Sequence, residues 1–477
     1  MVTFLGFVSA WELLAIGLTL LISTYLLIEL VTAVLRPWES PPADPDRDLP
    51  FVSVVIPVYN EPVEILQATI DSWERVRYPA FEIVLADDST VPVRVESTRV
   101  RVIRRANREG FKGGALRNAF PQLHPSSEWM VVFDADFVVD PDVLVRFAEH
   151  FQPGVGGIQG FMAMGLNRPA TYLTRFSEAL HEVAGTLLAG RSRHRGFVGV
   201  QGTVQAYRNE AIRDLGGIAP VLTANEDLDT TFRLRKAGWR IVYDPRIIGR
   251  GIAPDEYGTF FTQITRWTAT TIREYRRHWP GFLRTRGIPL TEKVDSFLFL
   301  LTWTNALVVA PTFLFLPWAL LVLRLIPLWV AIGITCLPFF VFMIPALARG
   351  EARRGLVGWV WYYVLLVPGA AVMMRAALLG LFTEPGFKRT PKAVHAPAPE
   401  PLAGHGGAIP ASTGWGARLE TIHALTCSEC DRPLSSSEVM FYAVAALDVD
   451  SLACRECLGD AEWSRHLPAL RRRALAA

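Results

Sequence analysis

Cysteine is scarce in this chain, with five residues among 477. Four of them form two CxxC pairs near the C-terminus, and Cys336 stands alone in an apolar run. A long chain with so few cysteines lacks the disulfide framework of small secreted folds, so the pairs favour a metal site in a reducing compartment. Their spacing predicts structural Zn²⁺, and the presence of two pairs disfavours the alternative of a redox dithiol. The predicted zinc ligands are Cys427, Cys430, Cys454 and Cys457.

An excess of charge of one sign is also missing. The 48 basic residues nearly balance the 46 acidic ones, for a net charge of +2. This balance gives no electrostatic basis for binding nucleic acid. The chain is 51% hydrophobic, and its mean hydropathy is positive. Together with the length, this composition predicts about two or three domains and membrane-spanning segments.

The first ten residues carry no positive charge, and no small-residue cleavage site follows them. We therefore expect residues 1–36 to be a transmembrane anchor instead of a signal peptide. Residues 13–35 are long enough to span hydrocarbon, with Glu29 as their one charged residue. Arg36 and the charged region behind it place the C-terminal side of this anchor in the cytoplasm.

The region from residue 50 to residue 282 alternates apolar strands with amphipathic helices. The strands are "FVSVVIPVYN", "EIVLADDST", "RVRVIRR" and "EWMVVFDADF". Such alternation predicts an α/β domain with a mostly parallel sheet, which binds ligands at the carboxyl ends of its strands. Polar side chains end these strands, namely Asn60, Asp87, Asp88, Asp134 and Asp136. Asp134 and Asp136 point the same way in an extended chain, which predicts a divalent cation between them.

Seven motifs in order connect this chain to a known family. They are "IPVYNEP", "ADDST", "NREGFKGGALRNA", "DADF", "NEDLDTTFRLRKAGWRIVYDP", "QITRW" and "FKRTPK", and they cover roughly Val52–Lys392. The chain resembles the membrane-embedded family 2 glycosyltransferases, which include cellulose, chitin and hyaluronan synthases. It looks closest to the cellulose-synthase-like, glucomannan-type members. The resemblance implies a GT-A-like domain that transfers a hexose from a UDP-sugar, with inversion, to a growing β-linked polysaccharide.

The resemblance also implies a role for individual residues. Asp134 and Asp136 would hold Mg²⁺ or Mn²⁺ against the UDP diphosphate, and Asp227 would be the general base. On a predicted helix, Gln263, Arg266 and Trp267 share one face; the guanidinium suits the leaving diphosphate and the indole suits an acceptor sugar. The residues implied in nucleotide binding are Tyr59, Glu61, Asp87, Asp88, Lys112, Asp134, Thr390 and Lys392.

The match departs from the family after residue 392. Relatives that secrete polymer have further spans there, whereas this chain has a linker rich in Pro, Ala and Gly at 393–416 and the thiol pairs within 417–477. Fewer spans make processive secretion less expected, so transfer of one sugar to a lipid acceptor is an alternative function. A catalytically silent assembly subunit, whose zinc module recruits a protein partner, is a second alternative. Retention of the acidic and QITRW motifs disfavours it.

We expect a multi-pass protein of the inner or plasma membrane whose nucleotide site and thiols both lie in the cytoplasm. This expectation limits the possible membrane topologies. Residues 296–348 contain one charged residue, Arg324, and predict a transmembrane hairpin. A third crossing at 356–382 would put the thiols outside. We therefore predict that 355–392 is an interfacial or re-entrant helix followed by a gating-type loop, consistent with Arg375 inside the apolar stretch.

Overall fold

The computed structural model describes residues 2–36, 49–167, 171–219, 225–308, 310 and 328–383. All of them belong to a compact unit that spans Met1–Gly404, and His405–Ala477 forms a second unit. The linker at 393–416, the thiol pairs, Thr390 and Lys392 lie outside the described residues.

Within the described ranges, the secondary structure consists of eight strands and eleven α-helices. The strands are β1 (Phe51–Val58), β2 (Phe81–Asp87), β3 (Val100–Arg104), β4 (Ser127–Val132), β5 (Phe137–Val139), β6 (Val155–Met164), β7 (Gln205–Arg208) and β8 (Arg240–Gly251). The helices are α1 (Val2–Leu35), α2 (Val63–Glu74), α3 (Phe111–Ala119), α4 (Val143–Ala148), α5 (Tyr172–Arg193), α6 (Asn209–Asp214), α7 (Glu226–Lys236), α8 (Tyr257–Arg284), α9 (Leu290–Thr304), α10 (Leu328–Ala348) and α11 (Ala352–Phe382).

The eight strands form one sheet in the order β3-β2-β1-β4-β7-β6-β8-β5. The predicted strands β1 to β4 pair in parallel, as expected. The prediction of a mostly parallel sheet is wrong in part: β6 and β8 also pair in parallel, but β4–β7, β6–β7 and β5–β8 pair antiparallel. The sheet is therefore mixed. The reason is topological: β7 follows the long helix α5 and enters between β4 and β6 in the opposite direction.

In the parallel half, strands β1, β2 and β4 are buried on both faces, whereas the edge strand β3 is mostly exposed. Along β1, Val52, Val54 and Ile56 pack with the α2 and α4 side, and Val55 packs with the α3 and α6 side. This alternation explains why β1 is a continuous apolar run in the sequence. Trp73 on α2 and Phe147 on α4 both make edge-to-face contacts with Phe133, directly before the first acidic residue of "DAD". The core thus fixes the end of β4.

The sheet curls, so the turn after β4 leads directly into β5 at the opposite edge. The backbone N–H of Phe137 donates to the carbonyl of Asp134 over 3.2 Å, which closes the turn. A side chain at Gly249 on β8 would meet Phe133 at 2.8 Å and Val204 at 2.6 Å. Glycine at this position lets β8 approach Phe133, directly after β4, and Val204, directly before β7. The acidic turn is therefore held between the two halves of the sheet.

A buried polar network joins α1 to α5, to α9 and to the loop after α5. The Tyr25 hydroxyl donates to Asp295 over 2.8 Å and accepts from Arg191 over 2.6 and 2.8 Å. The other Asp295 oxygen accepts the backbone N–H of Phe197 over 2.6 Å. A Cβ at Gly190 of α5 would lie 2.2 Å from the carbonyl oxygen of Glu29, so these helices pack backbone to backbone.

Among the described residues, one helix is long and apolar enough to cross a membrane by itself, Leu13–Leu35 within α1. In α11, the segments Ala352–Leu365 and Pro368–Phe382 meet at an angle of 69° and pass the same test only as a pair. Proline at the start of the second segment lacks the N–H of a continuous helix, which accounts for a break there. The predicted hairpin at 296–348 includes residues 311–327, which lie outside the described residues.

The buried network predicts the effect of removing one hydroxyl from α1. Tyr25→Phe removes the hydrogen bonds that Arg191 and one Asp295 oxygen make with the hydroxyl in a buried site, so we expect a loss of about 1–3 kcal/mol in stability. Thermal unfolding of the detergent-solubilised protein measures the change. Thr24→Val removes an exposed hydroxyl from the same helix and is the control. Equal unfolding temperatures for the two variants would contradict a structural role for the network.

Candidate functional site

A cavity of about 830 Å³ opens at the carboxyl ends of the parallel strands. Its volume lies within the range of sites that enclose ligands of drug or cofactor size. Most of the residues predicted to act on the substrate line it, namely Tyr59, Glu61, Asp88, Lys112, Asp134, Asp136, Asp227, Gln263, Arg266 and Trp267. The structure thus brings residues from six of the seven quoted motifs to one cavity.

The acidic turn between β4 and β5 presents two carboxylates to this cavity. Asp136 is 6% exposed, and Asp134 is partly exposed. The backbone N–H of Asp134 donates to the Thr203 hydroxyl over 2.9 Å, which fixes the turn against the loop before β7. The Asp134 carboxylate accepts a hydrogen bond from Lys112 over 2.5 Å. The Lys112 ammonium group therefore lies next to the carboxylate that would hold the divalent cation.

Lys112 lies in the first turn of α3. The glycines of "GFKGGAL" let this helix pack closely against neighbouring residues. A Cβ at Gly114 would lie 1.9 Å from the carbonyl oxygen of Glu109, so only glycine fits the tight turn that begins α3. The Lys112 ammonium donates to the Gly202 carbonyl over 2.7 Å and lies 3.9 Å from Glu226. Burial lowers the pKa of Lys112, but the carboxylates of Asp134 and Glu226 outweigh it and raise the pKa above its ordinary value. Lys112 is therefore charged.

Asp227 lies in the first turn of α7, where Asn225 is the N-cap. The Asn225 carboxamide oxygen accepts the N–H of Leu228 over 3.3 Å, and its nitrogen donates to Thr270 on α8 over 3.2 Å. Asn225 therefore satisfies a backbone N–H at the start of α7 and ties this helix to α8. Burial, together with repulsion from Glu226, raises the pKa of Asp227 to about 7, although Lys112 acts in the opposite direction. A carboxyl group with this pKa is suited to accept a proton near neutral pH.

Helix α8 presents Gln263, Arg266 and Trp267 to the cavity, at the i, i+3 and i+4 spacing predicted from the sequence. Behind this face, α8 is tied to α7 by a buried cluster. His278 approaches Asp229 within 2.8 Å and Glu274 within 3.5 Å. Burial lowers the pKa of His278, but its hydrogen bonds to the two carboxylates outweigh this and raise it.

Of the described residues predicted to bind the nucleotide, some line the cavity and one does not. Tyr59, Glu61 and Asp88 line the cavity, and Asp88 accepts two hydrogen bonds from Arg105 over 2.6 and 2.7 Å. Asp87 is not among the lining residues. Its carboxylate is buried, pairs with Arg104 and accepts the backbone N–H of Ser89 over 2.9 Å. In this structure Asp87 shapes the loop that carries Asp88.

Sequence reasoning did not single out Arg108 or His181, which also line the cavity. The Arg108 guanidinium lies 3.3 Å from the centroid of the Tyr59 ring, and the quoted motif "NREGFKGG" contains it. Position in that motif was a usable signal for Arg108. His181 had none, because one histidine on an apolar helix face is ordinarily packed without a function.

The charges around Lys112 fit a divalent cation. One ammonium interacts with the carboxylates of Asp134, Glu226 and Asp227, and Asp136 lines the same cavity. Hard oxygen ligands in negative excess suit Mg²⁺ or Mn²⁺. Within the described ranges of the chain, two other clusters have the spacing of metal ligands, Glu149–His150–Asp244 and Asp229–Glu274–His278. Arg246 neutralises the first, and Lys236 and Arg233 approach the second, so both are ion-pair clusters.

Comparisons with known proteins show what this chain is similar to. Residues 50–270 match the family model "Glycosyltransferase like family 2". A relative from Oryza sativa subsp. japonica, "Probable glucomannan 4-beta-mannosyltransferase 7", is 26% identical over 366 residues, which are 72% of this chain and 61% of the relative. "Probable glucomannan 4-beta-mannosyltransferase 1" from Arabidopsis thaliana is 29% identical over 59% of this chain and 56% of its own length. The chain thus spans little more than half the length of these two relatives.

One solved structure resembles a large part of the chain. It is the mannosyltransferase PcManGT from Pyrobaculum calidifontis in complex with GDP-Man and Mn²⁺. It is 18% identical, has a TM-score of 0.49, and the likeness covers 78% of this chain and 99% of that one.

The acidic turn predicts a specific dependence on metal. Asp136→Asn removes one hard ligand, so we expect weaker Mn²⁺ binding and at least about 100-fold slower turnover, since a bound metal supplies several kcal/mol of charge stabilisation. Mn²⁺ paramagnetic resonance titration reports binding independently of turnover. Asp142→Asn, outside the cavity, is the matched control. Unchanged Mn²⁺ affinity in Asp136→Asn would show that the turn is not a metal site.

The position of Asp227 predicts a pH dependence. A base with a pKa of about 7 is protonated in acid, so kcat/KM should fall as the pH drops through that region. In Asp227→Asn we expect kcat to fall by about 10²–10⁴-fold and this acid limb to disappear, with donor affinity retained. Asp214→Asn, an exposed change, is the control. Weakened donor binding with unchanged kcat would contradict the assignment.

Proposed function

Residues 50–270 belong to the family 2 glycosyltransferases, and on that premise we propose that this chain transfers a mannosyl group from a nucleotide sugar to a β-linked glycan. The observation that supports it best is the cavity itself. Asp227 begins one wall, the acidic turn forms a second, and the Gln263, Arg266 and Trp267 face of α8 forms a third. The names of the relatives indicate mannose as the sugar.

In the proposed reaction, the residues of this chain bind, orient and move one proton. Asp227 accepts the proton of the acceptor hydroxyl as its oxygen bonds to the anomeric carbon. The bond from that carbon to the diphosphate breaks on the opposite face, which inverts the configuration. Arg266 balances the negative charge of the departing diphosphate, and Trp267 supports the acceptor ring. A divalent ion held by Asp134 and Asp136 would neutralise the diphosphate as it leaves.

The carrier nucleotide is bound at the Tyr59 end of the cavity. Arg108 stacked on Tyr59 offers a flat cationic surface, and Asp88 offers carboxylate oxygens that are already fixed by Arg105. These features suit a base and a ribose. The sequence predicts UDP as the carrier, and the GDP carrier is the direct competitor in the experiment below.

A second candidate is transfer of one sugar to a lipid acceptor. Helices α1, α5, α9 and α11 also line the cavity, and most of the side chains that they and the residues next to them contribute are apolar. The apolar ones include Ile22, Leu26, Phe176, Leu180, Leu187, Trp303, Ala306, Leu365 and Met373. Such a wall suits an aliphatic chain better than a hydrated glycan. This observation favours a lipid-linked acceptor over a free polysaccharide end.

Membrane topology and zinc belong to the same proposal. The 69° angle within α11 supports an interfacial or re-entrant arrangement that keeps residues after 383 in the cytoplasm. The proposed zinc site at the four paired thiols is tested by zinc content, with Cys454→Ser as the variant and Cys336→Ser as the control. Near one zinc per chain in wild type and Cys336→Ser, and less in Cys454→Ser, is the expected result; no zinc in wild type would refute it.

The proposed function predicts which sugar is transferred. Purified protein in lipid nanodiscs is incubated with radiolabelled GDP-mannose, UDP-mannose, UDP-glucose and UDP-N-acetylglucosamine, with β-1,4-mannotriose or polyprenyl phosphate as acceptor. We expect mannosyl transfer, a product sensitive to β-mannanase when the acceptor is mannotriose, and none with Asp227→Asn. Label in organic solvent identifies the lipid acceptor. Transfer from none of the donors to either acceptor would refute the proposal.

A further inference from the structure

His181 is an unusual residue in the wall of the cavity. Around it, α5 contributes Leu180, Val183, Ala184 and Leu187 to the same wall. His181 is only 7% exposed. A polar ring placed among apolar side chains loses its hydration, and this is unfavourable unless something else satisfies its nitrogens.

One ring nitrogen of His181 is satisfied and fixes the tautomer. Nδ1 lies 2.8 Å from the carbonyl oxygen of Ser177, one turn earlier in α5. A carbonyl oxygen only accepts, so Nδ1 carries the proton and Nε2 carries a lone pair. Burial lowers the pKa of His181 and keeps the ring neutral near pH 7. Nε2 is therefore a hydrogen-bond acceptor.

Within the part of the chain that the structure describes, Nε2 of His181 has no hydrogen-bond partner, although the residue lines the cavity. The nearby acids of α5 are engaged elsewhere. Glu182 pairs with Arg354 over 2.5 Å and with Arg349 over 3.0 Å, and Glu178 lies 3.7 Å from Arg354. The lone pair is thus available to a ligand that brings a hydrogen-bond donor.

The aromatic ring that packs against His181 indicates what that ligand is. The ring centroids of His181 and Trp267 are 6.0 Å apart, with planes at 74°. Trp267 lies on α8 one residue after Arg266. A flat indole beside a fixed acceptor nitrogen matches the two parts of a pyranose, its apolar C–H face and its equatorial hydroxyl groups.

We propose that His181 binds the acceptor sugar, with Nε2 accepting a hydrogen bond from a hydroxyl group of the pyranose ring that stacks on Trp267. His181 is then a specificity residue for the acceptor, distinct from the residues assigned to the donor and the metal. This inference rests on the proposed glycosyl transfer and adds the residue that orients the acceptor.

The first test compares variants of His181 with β-1,4-mannotriose as acceptor and the donor fixed at saturation. His181→Phe keeps a flat ring and removes the acceptor nitrogen, so we expect the KM for mannotriose to rise about tenfold, the scale of one lost hydrogen bond. The KM for the donor should change less than about twofold. His181→Gln retains an acceptor oxygen and should recover part of the loss. His124→Phe, at an exposed site outside the cavity, is the matched control.

A second test uses monodeoxy mannotrioses, each lacking one hydroxyl of the terminal sugar. Wild type should lose about tenfold in kcat/KM with one of these acceptors, whereas His181→Phe should lose almost nothing with the same one. Equal losses for every deoxy acceptor in both proteins would overturn the proposal, as would an unchanged mannotriose KM in a folded His181→Phe.

Hydrolysis of the donor by water, measured in the absence of acceptor, distinguishes failure of the role proposed for His181 from failure of the proposed glycosyl transfer. Donor hydrolysis and mannosyl transfer by wild type, with no change of acceptor KM in His181→Phe, would refute only the role of His181. Absence of both activities in wild type, with every donor, would refute the glycosyl transfer on which this inference rests.

Discussion

The charge on Lys112 holds the site together. Its ammonium group donates to Asp134 and to the Gly202 carbonyl, and it lies near Glu226, so it joins α3, the acidic turn, the loop before β7 and the start of α7. These segments are far apart in the sequence, and three of them bring negative charge or a carbonyl dipole. Without a central cation their carboxylates would repel one another across a space of low dielectric constant.

That cation does not fully balance the site, and the imbalance explains its chemistry. Asp227 remains partly protonated near neutral pH because it is buried beside Glu226. A nucleoside diphosphate adds further negative charge, so binding it calls for more cations, which a divalent ion at the acidic turn and Arg266 on α8 can provide. The apolar side chains that line the cavity strengthen these interactions because they exclude water.

Sequence reasoning identified the features that short segments encode. The four parallel strands, the acidic turn after β4 and the i, i+3, i+4 face of α8 were predicted and are found. The antiparallel pairs were missed because the direction of β7 depends on where α5 returns the chain. The engagement of Asp87 with Arg104, and the neighbourhood of His181 and Trp267, depend on contacts between distant segments. Short sequence patterns do not predict contacts between distant segments.

The most direct test of this account is the pH dependence of a Lys112 variant. Lys112 lowers the pKa of Asp227, so removing the ammonium in Lys112→Met should raise that pKa and move the acid limb of kcat/KM to higher pH. Lys112→Arg keeps the charge and should leave the limb close to its wild-type position. An acid limb in Lys112→Met that stays in place, or moves to lower pH, would show that the ammonium does not set the charge balance of the site.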